Sequence, residues 1–237
     1  MPRQTFKIAV PLILFTMAFY LILLPFIQYP LTTLFKPIPI FLLILFTIQV
    51  NLKRLEKFLL LCALSCSLFG DIILTLPIKA AIQIGIVTFM VTHCTYICLF
   101  LRNMQFEWKR FAFFLPVLAL VIVGFYLLWP YLGEMNKPVT VYIFLLTLMV
   151  FFSFQVKQHA LLIGVGALLF LLSDFVLALT LFVLPNNKPT TMLIMLFYYT
   201  AQFLLVMGVT QTKLNLLCYH NSITKLRKSL KCVNCCL

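Results

Sequence analysis

A chain of 237 residues that is 64% hydrophobic and only 10% charged is not a soluble globular domain. Such domains carry roughly 25% charged residues. Lipid solvates apolar side chains directly, so the composition points to a helical membrane protein of one compact bundle. The net charge of +13 calls for no nucleic-acid partner, because surplus Lys and Arg in a membrane protein mark the cytoplasmic loops.

A bilayer-spanning helix takes about 20 mostly apolar residues. Runs of that kind lie at 8–28, 32–50, 58–76, 81–101, 111–129, 139–156, 160–184 and 190–212. The first follows Arg3 and Lys7, is too long for a signal-peptide core and lacks a small-residue cleavage site, so it is expected to stay as the first helix. Tyr29-Pro30, Pro77, Trp129-Pro130 and the 185–189 segment mark turns on one side of the bilayer. The charged segments 51–57, 102–110 and 157–159 mark the other. Every Lys and Arg except Lys36, Lys79, Lys137 and Lys188 falls on the side of these charged loops and the termini. The asymmetry predicts both termini in the cytoplasm and an even number of spans. The expected architecture is an all-α polytopic bundle of about eight transmembrane helices. Residues 1–212 form the membrane domain and 213–237 a basic, Cys-containing tail.

A faint internal repeat runs through the bundle. Lys36-Pro37 precedes Asp71 much as Lys137-Pro138 precedes Asp174, and Tyr96 follows Asp71 at the spacing with which Tyr199 follows Asp174. Two parallel four-helix halves would give this pattern. Chance matching in a biased alphabet accounts for it equally well.

Three of the five acidic residues, Glu56, Glu107 and Glu134, lie in loops, whereas Asp71 and Asp174 lie inside apolar runs. An aspartate at bilayer depth costs several kcal/mol to insert and marks a functional site by default. Counted along their helices, the two carboxylates sit about 21 and about 22 Å from the charged-loop ends, and so at one level. If their helices are neighbours they share a cavity and can act as an acid and a base. That pairing suits an acid-labile ether, as in glycosidases, where one carboxyl protonates and the other assists water or an oxocarbenium ion. A vinyl ether follows related logic: proton transfer to the β-carbon gives an oxocarbenium ion, water adds, and the hemiacetal collapses to an aldehyde and an alcohol. No metal or other cofactor is needed. The competing structural reading is that each aspartate caps a helix break or binds a neighbouring hydroxyl.

Several other residues fall near this level. Lys36 could neutralise a carboxylate or meet a lipid phosphate, although snorkelling to the outer interface is the favoured expectation. Tyr198 and Tyr199 match the depth of Asp174, and Gln202 lies one turn deeper on their face. Packing, or a bond between helices, is the alternative for each. His93 and Tyr96 share a face, with His93 about 9 Å from the aspartate level. The pairs Cys62/Cys66 and Cys94/Cys98 are at helical spacing, but cysteine is also an ordinary small core residue, and no metal site is expected. In the tail, Lys225, Arg227, Lys228 and Lys231 lead into Cys232, Cys235 and Cys236, a pattern suited to membrane-lipid contact and S-palmitoylation. A solvated tail fits it equally.

The phrases Phe35-Lys36-Pro37-Ile38-Pro39, Ser67-Leu-Phe-Gly70-Asp71, Thr92-His93-Cys-Thr-Tyr96, Gly166-Ala-Leu-Leu-Phe-Leu-Leu-Ser173-Asp174 and Tyr198-Tyr199-Thr-Ala-Gln202 resemble, in order and spacing, the YhhN family. Its characterised animal members are lysoplasmalogenases. The resemblance implies an eight-helix hydrolase that cleaves the vinyl ether of a lysophospholipid to a fatty aldehyde and glycerophospho-ethanolamine or -choline. It places the family's two aspartates on Asp71 and Asp174. Asp174 is taken as the acid and Asp71 as the base, an order that the residues themselves do not fix. His93, Tyr199 and Gln202 also match family positions, and Lys36, Tyr96, Ser173 and Tyr198 complete the expected supporting set. A proton-coupled transporter built on the same buried aspartates is the alternative from another class, and a lipid-binding scaffold the third.

Overall fold

Backbone groups in hydrocarbon have no water to bond, so an apolar run of membrane length closes its hydrogen bonds internally as a helix. The computed structural model describes residues 3–184 and 187–233, with side chains for 8–184 and 187–211. Among the described residues the chain forms nine α-helices: α1 (Arg3–Leu23), α2 (Leu31–Phe35), α3 (Ile38–Gln49), α4 (Arg54–Ile73), α5 (Ala81–Leu101), α6 (Trp108–Leu128), α7 (Asn136–Phe154), α8 (Ala160–Phe182) and α9 (Lys188–Val233). The extended structure there is a single antiparallel bridge between Met104 and Val156. The protein is an all-α integral membrane bundle that crosses the bilayer several times.

Seven segments are long and apolar enough to span, one fewer than expected. The exception is α4, whose 20 residues carry Arg54, Glu56 and Lys57 at the start and Asp71 near the end. It is nonetheless packed between α3 and α5. The span expected over 32–50 runs from Leu31 to Gln49, but its helix is not continuous. It breaks into α2 and α3 at Lys36-Pro37, because proline has no N–H to continue the ladder. By contrast α9 stays helical past residue 212 to Val233, so no break marks the expected tail boundary. The side chain of Cys232, and Cys235 and Cys236 entirely, lie outside the described residues, and so does the lipidation expected there.

The closest helix pair is α8 with α9, held together by a small residue. A Cβ built on Gly166 would stand 3.1 Å from the Leu205 amide nitrogen and 3.2 Å from the Ala201 carbonyl oxygen. Such approach is how membrane helices gain packing energy in the absence of a hydrophobic driving force between them. The half of the bundle nearer the charged loops is densely filled by Phe46, Leu60, Leu64, Phe100, Met149 and Leu205, all essentially inaccessible. At that face the two loops flanking α6 and α7 are tied together. Gln105 donates its amide to the Gln155 carbonyl and Lys157 donates to the Asn103 carbonyl. Arg110 Nη1 donates to the Val156 carbonyl at 2.6 Å and Arg110 also pairs with Glu107.

Candidate functional site

The break between α2 and α3 builds the first half of the site. It turns Lys36 inward instead of letting the side chain snorkel, and Lys36 Nζ lies 3.2 Å from Asp71 Oδ1. Both groups are buried. The other carboxylate oxygen, Asp71 Oδ2, accepts the Tyr198 hydroxyl at 2.7 Å. The Tyr199 hydroxyl donates to the Lys36 carbonyl at 2.7 Å, and its ring packs edge-on against Tyr20 of α1. Asp71 is therefore occupied on both oxygens. An ion pair inside hydrocarbon needs its remaining hydrogen-bonding capacity met; Tyr198 of α9 serves the carboxylate, while Tyr199 anchors the Lys36 backbone at the break.

Asp174 is built differently. Its Oδ2 accepts the Tyr142 hydroxyl at 2.5 Å, and His93 Nε2 lies 3.6 Å from the same oxygen, beyond hydrogen-bond length. Both ring nitrogens of His93 are buried without a hydrogen-bond partner. The imidazole is clamped edge-on between the rings of Tyr142 and Phe170, each 5.1 Å away. Among the described residues Asp174 Oδ1 makes no hydrogen bond, and Asp174 lines a cavity.

That cavity has a volume of about 540 Å³ and lies among α5, α6, α7 and α8. Of the side chains that line it, only Asp174 and Tyr142 carry polar atoms; the rest are Leu, Ile, Val, Phe, Ala and Gly. Asp71 does not line it. The expected shared cavity is thus corrected. Phe170 packs edge-on against both His93 and Tyr198, and Phe89 packs against Phe170 and Tyr198. These two phenyl rings form a partition with the Asp71–Lys36 pair behind it and Asp174 in front.

The remaining expected residues fall into place around these two centres. Tyr96 donates to Gln202 Oε1 at 2.6 Å and Gln202 Nε2 donates to Ser67 Oγ at 2.9 Å. Ser67 in turn reaches Thr92 at 3.4 Å, and Thr92 ends on the backbone carbonyls of Ala63 and Thr88. This is a chain of bonds joining α4, α5 and α9, with no atom at the cavity. Ser173 donates to the Ile194 carbonyl at 3.1 Å and ties α8 to α9. The repeat is not carried into the chemistry: Lys137, the counterpart of Lys36, is exposed, and Asp174 is met by a tyrosine instead. Among the described residues no group of three His, Cys, Asp or Glu side chains could hold a metal ion.

Tyr142 was absent from the expected set. Its signal is on α7, where the buried positions Val139, Leu146, Met149, Val150 and Ser153 form one face and Tyr142 falls on that face one turn from Val139 and from Leu146. A hydroxyl on the core side of a membrane helix needs an acceptor, and a buried carboxylate is the strongest one available.

The family model for the YhhN family matches residues 31–209, a stretch that contains every side chain described above except Tyr20. Proteins called "Uncharacterized membrane protein YhhN" from Escherichia coli O6:H1, Escherichia coli O157:H7 and Shigella flexneri are each 31% identical over 151 residues, covering 60% of this chain and 70% of theirs. No solved structure matches the chain. The paired aspartates, their helices and the matched stretch coincide, and the chain belongs to the YhhN family of membrane proteins.

Proposed function

We propose that the protein is a lysoplasmalogenase, a hydrolase that cleaves the vinyl ether of a lysoplasmalogen within the membrane. The observation that carries this reading is a carboxyl group with one free oxygen in the wall of a hydrocarbon-lined cavity. Such a cavity admits an aliphatic chain, and the carboxyl is the one acid there that can reach a carbon along it. The resemblance to lysoplasmalogenases supports the same substrate class.

In this reading Asp174, in its acid form, transfers a proton from Oδ1 to the β-carbon of the C=C–O unit. The double-bond electrons form the new C–H bond and the ether oxygen shares the positive charge with the adjacent carbon. The Asp174 carboxylate then faces the cation. Water adds to the cationic carbon and returns a proton to the carboxylate, and the hemiacetal collapses to a fatty aldehyde and the glycerophospho-alcohol. The sum is one vinyl ether plus one water giving one aldehyde plus one alcohol. Tyr142 fixes Oδ2 and so aims Oδ1, and His93 supplies a second polar group beside the developing negative charge. Asp71, with both oxygens occupied and off the cavity, is a positioning residue rather than the water-activating base.

Aldehyde release from lysoplasmenyl-ethanolamine and lysoplasmenyl-choline by the purified protein tests this reading, and inertness toward both lipids overturns it. Tyr142→Phe is expected to lower kcat by about 10²-fold with little change in KM. Such a loss accompanies misplacement of a reacting group by about 1 Å. Steady-state kinetics in mixed micelles measure it.

A further inference from the structure

The cavity must be reached from somewhere, and its walls differ in how they face the surroundings. Of the lining residues on α5 and α7, Gly85, Phe89, Val139 and Leu146 are buried and the others are partly buried. Those of α6 and α8 include Leu120, Val123 and Leu127, and Leu172, Phe175 and Leu181, all exposed to the outside of the bundle. In an integral membrane protein that outside is lipid. The seam between α6 and α8 is therefore where hydrocarbon of the bilayer and hydrocarbon of the cavity wall adjoin.

One contact in the seam is explained by side-chain size alone. A Cβ on Gly124 would stand 2.8 Å from Phe175 Cε2 and 3.4 Å from Cζ, so the Phe175 ring edge occupies the notch that glycine leaves. Phe175 follows Asp174 directly in the chain. Across the seam α6 is lightly held, burying only Phe114, Gly124 and Leu128 and carrying Pro116 inside its first half. Proline removes a helical hydrogen bond and lets a helix bend.

We propose that the α6–α8 seam is the lateral portal through which a lipid chain enters from the bilayer, and that the Phe175 ring seated against Gly124 is its latch. The occupant is a single long aliphatic chain. At about 540 Å³ the cavity falls within the roughly 300–1,000 Å³ range of small-molecule sites, and its hydrocarbon lining suits an aliphatic chain. No basic side chain lines the cavity, so the phosphate head group stays outside while the chain slides in. The inference deepens the hydrolase reading and rests on it for the identity of the lipid. The portal can be tested without turnover.

The experiment uses the full chain in phosphatidylcholine vesicles and a lysophosphatidylethanolamine with a diazirine near its chain end. This probe has no vinyl ether to cleave. Photolysis is expected to place adducts on residues 117–128 and 168–182, and excess unlabelled lysolipid is expected to suppress them. Phe175→Ala is expected to raise the initial labelling rate at least threefold. Gly124→Leu, which drives a side chain into the seat of the ring, is expected to change it at least threefold in either direction while the thermal midpoint of Phe175→Ala controls for folding. In the hydrolysis assay Phe175→Ala is expected to alter KM more than kcat. Adducts lying outside both segments overturn the portal, and so does labelling within twofold of wild type in both variants. Correct labelling without aldehyde release leaves the portal standing and sinks the hydrolase reading. Aldehyde release with unchanged labelling does the reverse.

Discussion

Asp174→Asn is expected to cut aldehyde release by about 10²- to 10⁴-fold, the usual contribution of a positioned general acid, while leaving the protein folded. The amide oxygen of asparagine still accepts the Tyr142 hydroxyl, so the 2.5 Å contact that holds the side chain keeps an acceptor. Asp174 holds no lysine or arginine among the described residues, so its loss strands no ammonium of the kind that Asp71 pairs with. What disappears is the proton that moves to carbon. The loss should therefore fall on kcat, and the thermal midpoint in detergent should stay close to wild type. A variant that keeps full aldehyde release would remove Asp174 from the chemistry.

Asp71 should behave in the opposite sense. Asp71→Leu strands the Lys36 ammonium in a site where both partners are buried, and breaking a buried pair from one side costs about 3–5 kcal/mol. Tyr198 loses its acceptor at the same time. The expected result is a large drop in thermal stability, with activity lost as a consequence. Adding Lys36→Met to the same chain removes the stranded charge, and replacing both members of a buried pair with apolar side chains is often neutral or stabilising. The double variant is expected to regain most of the lost stability, and some aldehyde release with it. Thermal unfolding of the wild type, Asp71→Leu, Lys36→Met alone and the double variant in one detergent measures the coupling. If the double variant is no more stable than Asp71→Leu, the ion pair is not what Asp71 contributes.

The depth of each polar residue was legible in the sequence, but its direction around the helix was not. Counting along apolar runs places Asp71 and Asp174 at one level, yet only Asp174 lines the cavity. The same ruler sets His93 about 9 Å away, yet its Nε2 lies 3.6 Å from Asp174 Oδ2 because side chains reach along and between helices. In water, periodicity shows which face of a helix points inward. In lipid that contrast fades, since the acyl chains outside are as apolar as the core inside. Leu120 on the bilayer face and Leu146 in the core look alike in sequence and differ entirely in burial. For this reason the phenylalanine partition of Phe89 and Phe170, the role of Tyr142 and the cavity itself could not be read in advance. The Lys36-Pro37 break was visible as residues but not as a hinge that aims the lysine, because a proline near a helix start is tolerated in many geometries.

The packed half of the bundle has an electrical meaning. Between the aspartates and the charged-loop face lie Phe46, Leu60, Leu64, Phe100, Met149 and Leu205, all nearly inaccessible. The polar chain from Tyr96 through Gln202, Ser67 and Thr92 ends on peptide carbonyls and reaches no ionisable group at that face. A charge carried across a membrane gains or loses about 2.3 kcal/mol per 100 mV, so an acid at work inside the bilayer is a short circuit unless one side of it is insulated. Here the insulation is hydrocarbon. In the proposed reaction the proton that leaves Asp174 returns to Asp174 on the same side of the seal, so that chemistry would draw no current from the membrane.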